Sequence, residues 1–207
     1  MSSLSISGSG QFDVNNNEVL LSYSGSDPIA IIAGYIHSGF NGGYWNGPGI
    51  ISTAAQTRIE GLFYGVGYAD GADGVVAGLS SGQIEIKFTL YGDANLDGVV
   101  NGTDFSILAA NFNEPVTGWD QGDFDYNGIV NGTDFSDPAA NFNQGDAGAA
   151  VAGDVAALDA FAAANGLLAD IPEPAAVGLL GVSAIGLLAP RRRLGGFRNT
   201  AGSREAR

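Results

Sequence analysis

The chain has 207 residues, of which 45% are hydrophobic and 14% charged, and its formal net charge is −14. Six of its eight Lys and Arg residues lie after residue 190, so residues 1–190 combine 21 acidic with 2 basic groups, a net charge of −19. A segment this acidic repels phosphate groups, which excludes nucleic acid as a partner. The absence of Cys excludes disulfides, thiolate zinc sites and Cys nucleophiles.

Residues 1–90 contain short segments that are typical of β-structure. Residues 11–24 have the pattern of a hairpin, two strands joined by an Asn-rich turn. Residues 61–70 predict a strand, and residues 83–91 predict another in which apolar and polar side chains alternate. This alternation indicates one buried face and one solvent face. We therefore expect residues 1–90 to form a small β-rich module.

The same module contains one predicted helix, over residues 26–40. Ser26 or Asp27 is suited to cap it, and Pro28 is suited to its first position, where the missing N–H removes no helical hydrogen bond. Residues 43–55 predict a loop rich in Gly and aromatic residues that runs into a helical turn. With the helices predicted further along, the chain as a whole is expected to be an α+β protein of several parts.

Two twelve-residue segments, loop one (93–104) and loop two (123–134), repeat one pattern of Asp, Asn and Gly at an offset of 30 residues. Residues at positions 1, 3, 5, 9 and 12, with Gly at position 6 and a backbone carbonyl at position 7, match the spacing of an EF-hand calcium loop. Calcium takes about six to eight oxygen ligands, which this pattern supplies. The predicted ligands are Asp93, Asn95, Asp97, Val99, Asn101, Asp104, Asp123, Asp125, Asn127, Ile129, Asn131 and Asp134.

The charge of the two loops is repeated as well. Loop one has Asn95 at position 3 and Asp97 at position 5, whereas loop two has Asp125 and Asn127, so each loop keeps three carboxylates. The alternative is a pair of Asx-rich surface turns without metal, but two loops in the same register favour two calcium sites. Position 12 is Asp rather than the more usual Glu, which requires the following helix to lie closer to the ion.

Each loop is followed directly by a predicted helix. Phe105, Leu108 and Phe112 recur at a spacing that places them on one helical face. In the second copy Pro138 takes the place of Leu108 and is expected to shorten the helix. The sequence before each loop does not predict an apolar helix, so the repeated unit is a loop followed by a helix.

This pair of units, over residues 91–144, resembles the dockerin type I modules that attach exported bacterial proteins to cohesin-type partners. The resemblance implies a small α-helical module that holds two calcium ions and binds a cohesin-like or another surface protein. In that family, loop positions 10 and 11 contact the partner. Here they are Gly102–Thr103 and Gly132–Thr133, where the family usually has a hydroxyl at position 10. Residues 1–90 are similar to the segment that precedes such modules in planctomycete surface proteins.

The composition changes after residue 144. Residues 145–171 predict an Ala- and Gly-rich linker with a short helix over residues 154–168, capped by Asp154. Residues 175–189 then carry no charge. A helix of this length spans about 22 Å, somewhat less than the roughly 30 Å hydrocarbon core of a membrane. We expect this segment to be a hydrophobic helix that enters the membrane.

The residues that flank the uncharged segment resemble the PEP-CTERM sorting signal of exopolysaccharide-producing bacteria. They are Pro172, Glu173 and Pro174 before it and Arg191, Arg192 and Arg193 after it. The resemblance implies that an exosortase-type enzyme processes the chain at the membrane, with the arginines on the cytoplasmic side and the acidic part outside. Residues 194–207 predict a disordered basic tail.

The first residues, MSSLSISGSGQF, lack the basic start and the apolar run of a signal peptide. Because a sorting signal requires export, we expect the chain to be the C-terminal part of a longer protein. The predicted function is that of a non-catalytic cell-surface protein whose calcium module serves attachment or assembly. The alternative is the accessory end of a polysaccharide-degrading glycoside hydrolase, which catalytic sequence before Met1 would favour.

Few residues are suited to catalysis. His37 is the only His in the sequence, so no His cluster is available for zinc, and we expect a structural residue on the flank of a helix. Trp45, Trp119 and Tyr44 have rings that can stack on a sugar, but packing in the core or at its rim fits them better. The sequence therefore predicts no enzymatic activity in these residues.

Overall fold

The computed structural model describes residues 3–59, 61–142 and 152–171, and these ranges contain five β-strands and four α-helices. The strands are β1 (Gln11–Asp13), β2 (Glu18–Ser22), β3 (Gly49–Ile51), β4 (Tyr64–Asp70) and β5 (Gln83–Leu90). The helices are α1 (Ile29–Phe40), α2 (Gly102–Ala110), α3 (Gly132–Asn141) and α4 (Ala152–Asn165). Short 3₁₀ helices lie at Asn41–Gly43, Ala54–Gln56, Trp119–Gln121 and Leu168–Asp170.

None of the helices in the described ranges is long and apolar enough to cross a membrane. The predicted sorting motif, the uncharged segment 175–189, the three arginines and the basic tail lie outside the described residues. The predictions made for residues 172–207 therefore stay predictions.

The strands form two sheets. β2, β5 and β4 lie side by side in that order and are antiparallel, whereas β1 and β3 form a parallel pair. The hairpin predicted over residues 11–24 is therefore wrong, and β3 was not predicted at all. Asn15 does have the positive φ, 51°, that was expected of a tight turn. However, the Asp13 carboxylate accepts hydrogen bonds from Asn15 N (2.8 Å) and Thr53 N (3.0 Å), which ties β1 to the segment after β3.

Helix α1 confirms the first predicted helix, with a later start. Pro28 precedes the first helical residue instead of occupying that position. The Asp27 carboxylate accepts a hydrogen bond of 2.8 Å from Ile29 N, which satisfies one of the N–H groups that a first helical turn leaves free. Ile32 and Ile36, four residues apart, are buried on the same face of the helix.

Strand β5 is present where it was predicted, but the expectation of a solvent face is wrong. Glu85 and Thr89, on the face that was expected to be exposed, are only 8% and 4% exposed. Gly67 lies on the same face of the neighbouring strand β4. A Cβ atom at Gly67 would lie 2.6 Å from Leu96 Cδ2 and 2.8 Å from Trp119 Nε1. The missing side chain thus makes room for loop one and for the segment before loop two, which cover this face.

Trp119 joins the sheet to both loops. Its ring centroid lies 4.9 Å from that of Phe124 and 5.7 Å from that of Tyr126. Its indole Nε1 donates a hydrogen bond of 2.7 Å to the backbone carbonyl of Asp93, and its side chain is fully buried. One hydrophobic core therefore continues across residue 90, where the sequence predicts the boundary between two modules.

Helices α2 and α3 follow the two loops, as predicted. Phe105 and Leu108 are buried on one face of α2. Helix α3 contains Pro138 and is ten residues long, against nine for α2, so the expected shortening is wrong. A proline inside a helix removes one backbone hydrogen bond. Phe135 and Asn141, on either side of it, are buried in the core and hold the helix in place.

Helix α4 corresponds to the helix predicted over residues 154–168 and begins before Asp154 rather than at it. Its Phe161 ring centroid lies 5.3 Å from that of Phe105 and 5.8 Å from that of Phe135. Because Phe105 belongs to α2 and Phe135 to α3, helix α4 packs against the helices of both loops.

Asn141, at the end of α3, ties this helix to the sheet. Its side chain is fully buried, and its Nδ2 donates hydrogen bonds of 2.9 Å to the carbonyls of Phe63 and Tyr91. Its Oδ1 accepts a hydrogen bond of 3.3 Å from Phe63 N. We expect Asn141→Ala to lower the free energy of unfolding by about 3 kcal/mol, because buried backbone groups lose their partner and a cavity forms.

Urea unfolding of the two proteins measures this difference. Asn165→Ala at the exposed end of α4 removes the same side chain where it bonds only to the carbonyl of Phe161, and its expected effect is below about 0.5 kcal/mol. If the two substitutions lower the stability equally, Asn141 is not the link that we describe.

Candidate metal centre

The carboxylate at position 12 closes each loop by the same hydrogen bonds. Asp104 Oδ1 accepts from Ala94 N (2.9 Å) and from Asn95 N (3.2 Å). Its Oδ2 accepts from Asn101 N (3.0 Å). Asp134 accepts the three equivalent bonds in loop two, at 2.8, 3.2 and 2.9 Å. The repeat in the sequence is therefore also a repeat in geometry.

The same carboxylates begin the helices that follow. Asn101 and Asn131, at position 9, cap α2 and α3 by accepting the N–H of the Thr two residues further on, at 2.7 and 2.8 Å. With Asp104 and Asp134 three residues into the helix, each loop forms a reciprocal capping box. Because the helix begins at position 10, the short Asp side chain at position 12 lies within hydrogen-bond distance of the backbone N–H groups of its loop.

The Asp side chain at position 1 is buried in both loops and accepts a hydrogen bond from the backbone N–H of the glycine at position 6. Asp93 Oδ2 and Asp123 Oδ2 accept hydrogen bonds of 2.9 and 3.0 Å from Gly98 N and Gly128 N. Both glycines have a φ of 88°, which a residue with a Cβ atom adopts only under strain. The sharp reversal that the sequence predicts is thus present in each loop.

Loop two brings three carboxylates together. Asp123, Asp125 and Asp134 each offer one oxygen, and these oxygens lie within 4.8 Å of one another. Asp123 Oδ1 is buried without a hydrogen-bond partner, which is unfavourable unless another group binds there. The available donors are carboxylate, amide and carbonyl oxygens, the ligands that calcium prefers. The residues of loop two therefore fit a divalent cation.

The remaining predicted ligands of loop two bond to one another. Asn127 Nδ2 donates to Asp125 Oδ2 (2.8 Å), and Asn131 Nδ2 donates to the carbonyl of Ile129 (3.1 Å). The oxygens at positions 3 and 7 thus accept hydrogen bonds from side-chain amides of the same loop.

Loop one differs at position 1, and its side-chain amide donates from position 3 to position 5, whereas in loop two it donates from position 5 to position 3. Both oxygens of Asp93 have partners, since Oδ1 accepts from Asp97 N (3.0 Å) and Oδ2 accepts from the hydroxyl of Thr89. Asp97 in turn accepts from Val99 N (2.9 Å) and from the side-chain amide of Asn95 (3.0 Å). Among the described residues, the tight group of carboxylates is that of loop two. The structure thus gathers the predicted carboxylates of one loop more closely than those of the other.

Burial raises the pKa of the loop carboxyls. The pKa rises to about 7 for Asp104 and Asp123 and to about 6 for Asp93 and Asp134, from an ordinary value of 3.8. Removal of the charge from water is the main cause. Hydrogen bonds from backbone N–H groups oppose this rise, and neighbouring carboxylates add to it. A divalent cation in a loop would favour the charged forms and lower these pKa values again.

Position 4 has a role that the sequence analysis missed. Leu96 and Tyr126 occupy it with positive φ values of 57° and 61°, and both side chains are buried. The Tyr126 hydroxyl donates a hydrogen bond of 3.0 Å to the carbonyl of Val66. Lys87 Nζ donates one of 2.7 Å to the carbonyl of Leu96. The residue at position 4 therefore links each loop to the sheet. The large side chain at this position in both copies was the feature of the sequence that could have predicted this role.

Position 10 of each loop is covered by the chain itself. A Cβ atom at Gly102 would lie 2.5 Å from the carboxylate of Asp154, and one at Gly132 would lie 2.9 Å from Leu167. Asp154 belongs to α4, and Leu167 follows it. A partner that contacts position 10, as the dockerin resemblance implies, therefore has to displace this segment.

The candidate residues for sugar binding and catalysis lie elsewhere. Trp45 and Trp119 are 1% and 0% exposed, so neither offers a ring face to a sugar, in agreement with the preference for core packing. Tyr44 is exposed. His37 is exposed in the last turn of α1.

Comparison with known proteins gives no relative to guide the assignment, since no family model, no curated protein and no solved structure matches the chain. The support for a metal at this site is therefore its own geometry. Its main features are the hydrogen bonds repeated in the two loops, the carboxylate group of loop two and the unpartnered oxygen of Asp123.

Proposed function

We propose that this protein binds two calcium ions, one in each loop, and that they stabilise its fold. The carboxylate group of Asp123, Asp125 and Asp134, with the unpartnered Asp123 Oδ1, carries the proposal. Loop one shares the closing hydrogen bonds of loop two, which supports a second ion there. When bound, each ion supplies positive charge that offsets three carboxylates and links the two ends of its loop.

We further propose a non-catalytic role in attachment or assembly at a bacterial cell surface, with sorting by the PEP-CTERM-like tail. The motifs in the sequence and the acidic composition support this role. Extracellular calcium modules bind with dissociation constants of about 10⁻⁴–10⁻³ M, so weak sites suffice there. The partner is a cohesin-like or another surface protein, and it either displaces α4 or contacts a surface away from position 10.

Calorimetric titration of the full chain with calcium tests the metal sites. We expect Asp123→Ala to abolish binding at loop two and Asp93→Ala to abolish it at loop one, because each removes the carboxylate at position 1. Asp159→Ala removes one carboxylate from the exposed side of α4 and serves as the matched control, with binding unchanged. The full chain is used because Trp119 and Asn141 join the loops to the sheet.

An absence of heat at millimolar calcium, together with an unchanged circular dichroism spectrum, would refute the proposal. Binding that persists unchanged in both Ala variants would refute the assignment of the ions to the loops. The repeated segments would then be Asx-rich surface turns.

A further inference from the structure

A second group of acidic side chains lies outside the two loops. Asp70 ends strand β4, Asp73 lies in the turn that follows, Asp120 lies in the 3₁₀ helix Trp119–Gln121, and Asp27 precedes α1. Burial, and then the charges of Asp73 and Asp70, raise the pKa of Asp120 to about 7. Burial, and then the charges of Asp70 and Asp27, raise the pKa of Asp73. Carboxylates from three separate segments of the chain therefore lie near one another.

Asp120 is the member of this group that points to a ligand. Its side chain is 3% exposed, and its Oδ2 is buried without a hydrogen-bond partner. Together with Asp73 it lines a cavity of about 130 Å³, which Tyr68, Thr117 and Gln121 also border. A buried carboxylate oxygen without a partner is unfavourable. The cavity is large enough for a cation with several water molecules.

Positively charged side chains of the described residues are engaged elsewhere. Arg58 and Lys87 are the Lys and Arg residues of the described ranges. Lys87 Nζ lies 3.7 Å from Glu85 Oε1, and the guanidinium carbon of Arg58 lies 3.7 Å from the centre of the Phe63 ring. Neither is a counter-charge for the carboxylates around the cavity.

We propose that Asp120 and Asp73 bind a third divalent cation, of the calcium type, in this cavity. Asp70 and Asp27 add negative charge around it. Among the described residues, the group of three carboxylate oxygens within 4.8 Å of one another is that of loop two, so in this cavity water molecules complete the coordination of the ion. The ion links the end of β4 to the segment that leads into loop two. This ion is additional to the two proposed above, because none of its ligands lies in loop one or loop two.

Calcium titration of the full chain, with Asp120→Asn and Asp73→Asn, tests this third site. We expect three binding events in the unsubstituted protein. Each substitution should abolish one event, or weaken it by at least about tenfold, because the site loses one of its negatively charged ligands. The same event should persist in Asp93→Ala and in Asp123→Ala. Asp159→Asn on the exposed side of α4 is the matched control and should leave every event unchanged.

Asp120→Asn alters a buried side chain, so circular dichroism must show that the variant folds. If it does not fold, the test of the third site rests on Asp73→Asn, because Asp73 is exposed and Asn keeps the shape of the side chain. The third site is overturned if Asp73→Asn shows the same binding events as Asp159→Asn and if Asp120→Asn, where it folds, does so too. The loop variants are read separately, so such a result leaves the assignment of the two loops standing.

Discussion

Raising the pH from about 5 to about 7.5 is expected to destabilise the calcium-free protein and to enlarge the stabilisation that calcium provides. The pKa of Asp104 and Asp123 is about 7, and that of Asp93 and Asp134 is about 6, in place of 3.8. A carboxyl with a raised pKa holds its proton more tightly in the folded state. Its contribution to stability is complete below the ordinary pKa and is lost as the pH rises through 6 to 7.

Calcium changes the sign of this dependence because it binds the deprotonated carboxylates. At a hundredfold excess over its dissociation constant, calcium adds about 2.7 kcal/mol of stability for each site. Two occupied loops should then raise the unfolding temperature by roughly 10–20 °C near neutral pH, and by less at acidic pH.

Scanning calorimetry measures both effects, with calcium removed beforehand on a chelating resin. Asp123→Ala should lose the part of the calcium-induced rise that loop two contributes and keep the part that loop one contributes, and Asp159→Ala should keep all of it. Unfolding temperatures that follow the same pH dependence with and without calcium would contradict the binding of the ion by these carboxylates.

Trp119→Ala is expected to lower the free energy of unfolding by about 3 to 5 kcal/mol and to weaken calcium binding at loop one. The substitution leaves a cavity between the sheet and both loops, since the side chain is fully buried. It also removes the indole N–H that bonds to the carbonyl of Asp93, the residue at position 1. Chemical unfolding and calcium titration measure the two effects.

Trp45→Ala is the matched control for this substitution. Trp45 is equally buried, but its ring packs on Phe40 and Tyr126 and does not bond to loop one. It should lower the stability by a similar amount and leave calcium binding at loop one unchanged. Trp119→Phe keeps most of the ring and loses the N–H, so its expected loss is about 1 kcal/mol. Equal effects of Trp119→Ala and Trp45→Ala on loop one would contradict the role of this hydrogen bond.

The sequence by itself determined the internal geometry of the two loops. The reversal at Gly98 and Gly128, the Asn caps and the start of the following helices all depend on hydrogen bonds within twelve residues. Such contacts require only the right residue at the right spacing, so the pattern predicted the reversal and a helix after each loop, whereas the Asn caps were not predicted. Helix α1 and strand β5 were predictable for the same reason, since a local period of apolar residues defines each of them.

The tertiary structure alone decided how these elements meet. β1 pairs with β3 rather than with β2, and the polar face of β5 is buried because loop one and Trp119 cover it. Thr89 donates a hydrogen bond to one oxygen of Asp93, whereas one oxygen of Asp123, at the same position of loop two, has no hydrogen-bond partner. The cavity at Asp120 is likewise lined by three segments that are separate in the sequence, represented by Ile29, Asp73 and Asp120. These arrangements depend on contacts between residues that are far apart in the sequence. The local patterns that predict helices, strands and loops carry no information about such contacts.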